Sequence, residues 1–341
     1  MELTKADTAA IKGIAILLMF WHHLFLNTMA YGAFAHSLAV VFKVCVALFL
    51  FVSGYGLTKQ YSKLGKPWFK NTLKFLLRRY INFFLSYWFC FVLVVLAGNL
   101  FGFTFQDAYP ASRNTLKCVI LDVFGQMGYN SYLHPWWFNK MIIQLYLAFP
   151  ILFLALRNKY ATMAGLVAIV VLQLFANHVP GKVFFIIEGG LPAFFLGMIA
   201  ARYQFVPELK GKKWSILLFV ASLLLCVGLC VIHLFLVKNP FVAVLVRAMM
   251  ALCIIVAYCS IGSRHVSVLG FVGKYATIMY LTHILFVELK PEVFYGAKYA
   301  VLIFVVFVAV CLVTAMLIDG LEKVSRYNKL SVLIVKQIDR W

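Results

Sequence analysis

The sequence predicts an all-α polytopic membrane protein with about ten transmembrane helices and both termini cytoplasmic. Three observations carry this expectation. Of 341 residues, 64% are hydrophobic and only 12% charged, more apolar surface than a soluble domain can hide. The apolar residues gather into runs of roughly twenty, the length of a helix across a bilayer. The basic residues behind the net charge of +20 collect between alternate runs. In a soluble chain that charge would suggest nucleic acid. Here it reads as cytoplasmic loops lying against anionic lipid, and no nucleic-acid partner is expected.

The first run, AAIKGIAILLMFWHHLFL, covers about 8 to 30 and places His22 and His23 near its middle. It follows MELTKAD and carries Lys and His, unlike the core of a cleavable signal. The second run, about 36 to 58, ends in ALFLFVSGYGLT. A block without acids follows: Lys59, Lys63, Lys66, Lys70, Lys74, Arg78 and Arg79. It belongs on the cytoplasmic side, and its KPWFKNTLKFLLRRY portion reads as an interfacial helix leading into the third run, about 78 to 102. The nearly neutral loop from about 103 to 134 suits the outside. The fourth run opens after Pro135 with an interfacial Trp pair and ends inside at Arg157 and Lys159. Runs five and six (about 161–178 and 183–203) form a hairpin, returning inside at Arg202, Lys210, Lys212 and Lys213. Runs seven (about 214–237) and eight (about 240–261) turn outside at Lys238-Asn239-Pro240, with Arg264 and His265 on the inner turn. Runs nine (about 267–288) and ten (about 298–319) complete a transmembrane domain over 1–320. The tail, 321–341, is basic and suits an interfacial helix. Eight cysteines without a C-x-x-C pair suggest no disulfide framework.

Ionisable residues within apolar runs are costly, so function is their default explanation. Lys12 and His23 are eleven residues apart, about three turns and roughly 16 Å along one helical face. A cation at the membrane edge with an imidazole above it forms a track. A buried, hydrogen-bonded histidine is the ordinary alternative for either, and the aligned Lys12 weighs against it at His23 more than at His22. Lys43, Lys140, His233 and Glu288 lie toward outer ends, where their tips reach the interface. Arg247 is too deep for that and needs an anion, either Glu188 or a bound phosphate. Glu188, just before Gly189, Gly190 and Pro192, either serves as that partner or orients a histidine. Paired Cys/His spacing is lacking, so no metal is expected.

In combination these features resemble the acyltransferase-3 family of integral membrane acyltransferases over nearly the whole chain. Lys12-Gly13-Ile14-Ala15 leading to His23 is similar to that family's first helix, with Lys12 in place of its arginine. LFLFVSGYGL, with Phe49, Phe51, Ser53, Gly54 and Tyr55, resembles the end of its second. Trp137, Phe138, Tyr146 and Pro150, then Phe194, Phe195, Gly197 and Met198, follow in the family's order. Gly273, Lys274, Tyr280, Leu281 and His283 resemble its late signature, with Ala276 where the family has serine. The R-x-x-R after helix two is incomplete, since Asn82 follows Arg79 by three.

The resemblance implies transfer of an acyl group, usually acetyl from acetyl-CoA, to a hydroxyl of a cell-surface or lipid-linked glycan at the plasma (inner) membrane. Lys12, Lys74, Arg78 and Arg79 would meet the CoA phosphates. His23 would act as general base or pass through an acyl-histidine. Glu188 would orient it, Tyr55 or Tyr280 would steady the oxyanion, and Arg247 and His283 would line the substrate site. The competing classes are a proton-coupled transporter that uses His23, Glu188 and Arg247 as a relay, and a noncatalytic membrane subunit. Oligomeric state is left open.

Overall fold

The structure, a computed structural model, describes residues 2–64, 69–109, 113–176, 189–204, 215–261, 267–289 and 291–340. Glu188, Lys66, Lys210, Lys212, Lys213, Arg264 and His265 lie outside the described residues. The described chain forms helices: α1 (Lys5–Phe25), α2 (Ala33–Phe42), α3 (Val44–Tyr61), α4 (Phe69–Leu100), α5 (Phe105–Ala108), α6 (Thr115–Val123), α7 (Trp137–Leu154) and α8 (Lys159–Leu174). Then come α9 (Leu191–Tyr203), α10 (Ser215–Phe235), α11 (Pro240–Ile261), α12 (Ser267–Leu289), α13 (Pro291–Tyr295), α14 (Ala300–Val324) and α15 (Tyr327–Arg340). Among the described residues, eight helical stretches are long and apolar enough to cross a membrane; α8 and α9, where runs five and six were expected, are shorter.

One local expectation is refined and one corrected. The basic stretch after α3, where it is described, is helical as expected but is not set off from the third run. From Phe69 it supplies the first turns of α4, a 32-residue helix about 48 Å long. Nothing between Phe69 and Leu100 is a Gly or Pro that would interrupt it before Gly98. The first run ends sooner than its hydropathy suggests, at Phe25, and the chain then turns where the Gly32 N–H (Gly32 φ 88°) donates to the Met29 carbonyl at 3.0 Å. His22 and His23 therefore occupy the last turn of α1, not its middle.

The chain divides into two compact units, Met1–Gly65 with Ala148–Lys274, and Lys66–Leu147 with Tyr275–Trp341. In the first unit, α1 begins with a capping box. The Thr4 N–H donates to Asp7 Oδ2 at 2.9 Å, and Thr4 Oγ1 accepts from the Asp7 N–H at 3.1 Å. The Tyr258 hydroxyl, from α11, donates to the other Asp7 oxygen at 3.0 Å, so the buried carboxylate has partners for both oxygens.

Glycine sets the helix approaches in this unit. A Cβ on Gly13 would sit 2.1 Å from the Leu269 carbonyl oxygen, and one on Gly273 would sit 1.7 Å from that of Ala9. The same relation joins α3 to α9: a Cβ on Gly54 would meet the Phe194 carbonyl at 2.1 Å, and one on Gly197 the Phe51 carbonyl at 2.0 Å. Lipid tails are as apolar as leucine, so helices in a membrane associate through close packing rather than through hydrophobic expulsion. Small residues that let backbones touch supply that packing. Phe51 and Phe194, both fully buried, lie at the α3–α9 crossing itself.

The second unit is built on aromatic packing between α4 and the segment before α7. Trp136 lies 5.3 Å from Tyr87 and 5.5 Å from Phe91, ring centre to ring centre, and its indole N–H donates to the Leu281 carbonyl of α12 at 3.0 Å. Asp122, fully buried, anchors the loop region. Its Oδ2 accepts from the Tyr109 hydroxyl at 3.0 Å and from the Tyr132 N–H at 2.5 Å, while the Tyr87 hydroxyl donates to its carbonyl at 2.7 Å. Burial pushes this carboxyl up to about 6, only partly offset by those donors. The tail helix α15 is tied to α4, with Tyr327 donating to the Leu85 carbonyl at 3.1 Å and Ser331 to Asn82 Oδ1 at 2.8 Å.

Candidate active site

In the first unit, α1 carries both residues of the expected track. Lys12 and His23 are each half-buried, while the residues between them that face the α1 packing seams, Gly13, Ala15, Ile16, Met19 and Phe20, are buried. The eleven-residue step leaves Lys12 and His23 on one face, about 16 Å apart along the axis. His22 points away into the protein. It is buried, with Nδ1 2.6 Å from the Ala39 carbonyl oxygen of α2. A carbonyl only accepts, so Nδ1 carries the proton and the ring is fixed in one tautomer. The rings of His22 and His23 meet edge-on with centres 5.1 Å apart. The ordinary reading of a lone histidine thus suits His22, and His23 is the more open of the pair.

Tyr55 is buried near the end of α3, and its hydroxyl accepts from the Leu3 N–H at 2.8 Å. That ties the chain's start to α3, as does the ion pair between Lys59 and Glu2. Arg247 is half-buried on α11, within electrostatic reach of His22 at the end of α1. Glu188, the other expected catalytic residue, lies outside the described residues.

In the second unit, α4 presents Lys74, Arg78 and Arg79, all half-buried. Lys74 and Arg78 share a face one turn apart. The Arg79 guanidinium lies over the Phe75 ring at 5.6 Å, and its Nη2 is buried with no hydrogen-bond partner among the described residues. The Tyr280 hydroxyl lies 2.9 Å from the Pro135 carbonyl and 3.1 Å from Asn139 Oδ1, so the protein itself engages it. His283 is fully buried, its Nδ1 2.8 Å from the Tyr280 carbonyl and its ring against Phe307 of α14.

Sequence reasoning missed two groups. Asp122 falls within the nearly neutral loop of about 103 to 134, although LDVF sets it among apolar residues, and an acid so placed needs donors. Lys43 and His233 were read separately as interfacial tips, yet both lie within electrostatic reach of Arg247.

Comparison with known families matches residues 9–319 to acyltransferase-3, described as an acyltransferase domain. No curated protein and no solved structure matches the chain.

Proposed function

The chain belongs to the acyltransferase-3 family of membrane acyltransferases, and on that premise we propose that it is an O-acetyltransferase of the plasma membrane. Acetyl-CoA in the cytosol is the donor, and a hydroxyl of a cell-surface or lipid-linked glycan is the acceptor. Both termini are cytoplasmic in this reading, because the chain's basic loops then lie against anionic lipid.

The observation that carries the proposal is the α1 face with Lys12 at one end and the half-buried His23 at the other. CoA is a multiply charged anion with a long, flexible arm. Lys12, and in the second unit Lys74, Arg78 and Arg79, are the cations assigned to its phosphates. His23 takes the proton from the acceptor hydroxyl as its oxygen attacks the thioester carbonyl. The tetrahedral intermediate then expels CoA thiolate, which recovers that proton from the imidazolium. The products are the glycan ester and CoA thiol. Glu188 is assigned to orienting His23, and Tyr55, Arg247, Tyr280 and His283 to the acceptor and the oxyanion.

The test is mass spectrometry of cell-surface glycans with and without the gene, paired with thiol release from acetyl-CoA by the purified protein. Loss of one acyl ester and acceptor-dependent thiol release are expected. An unchanged glycan profile with no thiol release overturns the proposal.

A further inference from the structure

In the second unit, the segment that leads into α7 carries a cluster of rings at its surface. Tyr129 is 43% exposed, and its ring centre lies 6.0 Å from that of the exposed His134, the two planes within 24° of parallel. Trp137, half-buried at the start of α7, stands 5.4 Å from Tyr129. The turn that presents them is held at several points. Gly128 has φ 75°, a conformation that favours glycine, and Ser131 Oγ donates to its carbonyl at 2.8 Å. His134 Nδ1 donates to the Tyr129 carbonyl at 3.0 Å, and the Tyr132 N–H is fixed on Asp122. Tyr129 thus reaches solvent from a backbone that is already ordered.

The rings continue inward. Trp137 meets Phe138 at 6.2 Å, and Phe138 meets Tyr280 of α12 edge-on at 5.7 Å. Exposure falls along the series, from Tyr129 at the surface to half-buried Trp137, Phe138 and Tyr280. Tyr280 is among the residues assigned above to the acceptor and the oxyanion, so the series joins the surface to that assignment.

Formal charge is missing from this stretch. From Val123 to Asn139 the sequence holds no Asp, Glu, Lys or Arg, so a phosphate or an acidic polymer finds no cation within it. Tyrosine and tryptophan also anchor proteins at membrane interfaces, but an anchor needs only a ring at the right depth, not a pinned turn with a second ring aligned beside it. A neutral pyranose suits the arrangement. Its axial C–H bonds offer a weakly positive, apolar face to the negative face of an aromatic ring, while its hydroxyls stay in water at the rim. Rings fixed in advance make that contact at small entropic cost.

We propose that Tyr129, with His134 and Trp137, is a stacking platform for a neutral pyranose unit of the acceptor glycan. The inference rests on the acyltransferase reading only for the glycan's role as acceptor. In the proposed topology this segment faces outward, the side from which a cell-surface glycan arrives. Tyr129 binds and selects; it takes no part in the chemistry.

The probe is surface glycan of the source cells, cut to oligosaccharides, stripped of esters with mild alkali and titrated into the purified full-length protein. Tyr129→Phe keeps the ring, whereas Tyr129→Leu and Tyr129→Ala remove it; melting curves verify the fold of each. Wild type and Tyr129→Phe are expected to bind alike, and the ringless variants about tenfold more weakly. Wild-type affinity in a folded ringless variant overturns the platform. So does a loss in Tyr129→Phe as large as theirs, or an absence of binding by wild type. Thiol release from acetyl-CoA is scored separately. Ring-dependent binding without thiol release sinks the acyltransferase reading and leaves the platform standing. Acceptor-dependent thiol release with the same KM in wild type and the ringless variants does the reverse.

Discussion

The His22 and His23 rings touch edge to face, 5.1 Å between centres, yet they stand in unlike surroundings. His22 is buried against the Ala39 carbonyl, and His23 is half-open on the face shared with Lys12. His23→Ala is therefore expected to abolish acyl transfer while leaving the melting temperature near wild type. His22→Ala removes a buried hydrogen bond and is expected to cost about 1–2 kcal/mol of stability with transfer still measurable. Thiol release and thermal melting of the two variants, side by side, check the division. Transfer retained in folded His23→Ala removes the proposed base.

Lys12 at the opposite end of that face is expected to act on binding more than on chemistry. Lys12→Ala should raise the CoA dissociation constant by about tenfold or more, the usual weight of a charge-assisted contact. Lys12→Arg keeps the charge and should bind CoA about as well as wild type. Isothermal titration with CoA decides it, and unchanged affinity in the alanine variant moves the phosphate site away from α1.

Glycine-to-alanine changes offer a test of packing free of any assumption about function. Alanine ordinarily stabilises a helix interior by about 1 kcal/mol relative to glycine. At Gly197 its Cβ would fall 2.0 Å from the Phe51 carbonyl oxygen, and at Gly54 2.1 Å from that of Phe194. Both variants are expected to lose folded protein. Gly56→Ala, two residues along α3 from Gly54 with nothing within 4 Å, should be at least as stable as wild type. Yield of monodisperse protein and its melting temperature read out the contrast.

Asp122 makes stability depend on pH. Burial raises its carboxyl from the ordinary 3.8 to about 6 in the folded protein, so the folded state holds the proton more tightly than the unfolded one. The contribution is full below 3.8, and it is lost as the pH rises through about 6. The difference corresponds to at most about 3 kcal/mol. Melting measured from pH 4 to pH 7 should fall more steeply for wild type than for Asp122→Asn. Parallel profiles would show that the carboxyl titrates normally.

The helical class was legible because hydropathy runs of bilayer length leave few alternatives, and the described helices fall where those runs lie. The spots that were misjudged share one cause. Hydropathy does not register the turn closed by Met29 and Gly32, so it extends α1 past Phe25 and centres His23 too far along the run. Nor does it register that a basic stretch such as Lys70 to Arg78 continues as α4 without a break. Lys43 is nearly two hundred residues from His233 and Arg247 in the chain, so nothing local in the sequence links it to them. The motif glycines were legible as a family resemblance, while their physical reason, backbone resting on backbone, needed the coordinates.

Where Gly13 meets Leu269 and Gly54 meets Phe194, no side chain stands between the two backbones to change rotamer or give way. Such seams have no compliance and behave as welded struts. If CoA reaches His23 as proposed, the give it needs lies outside these two seams.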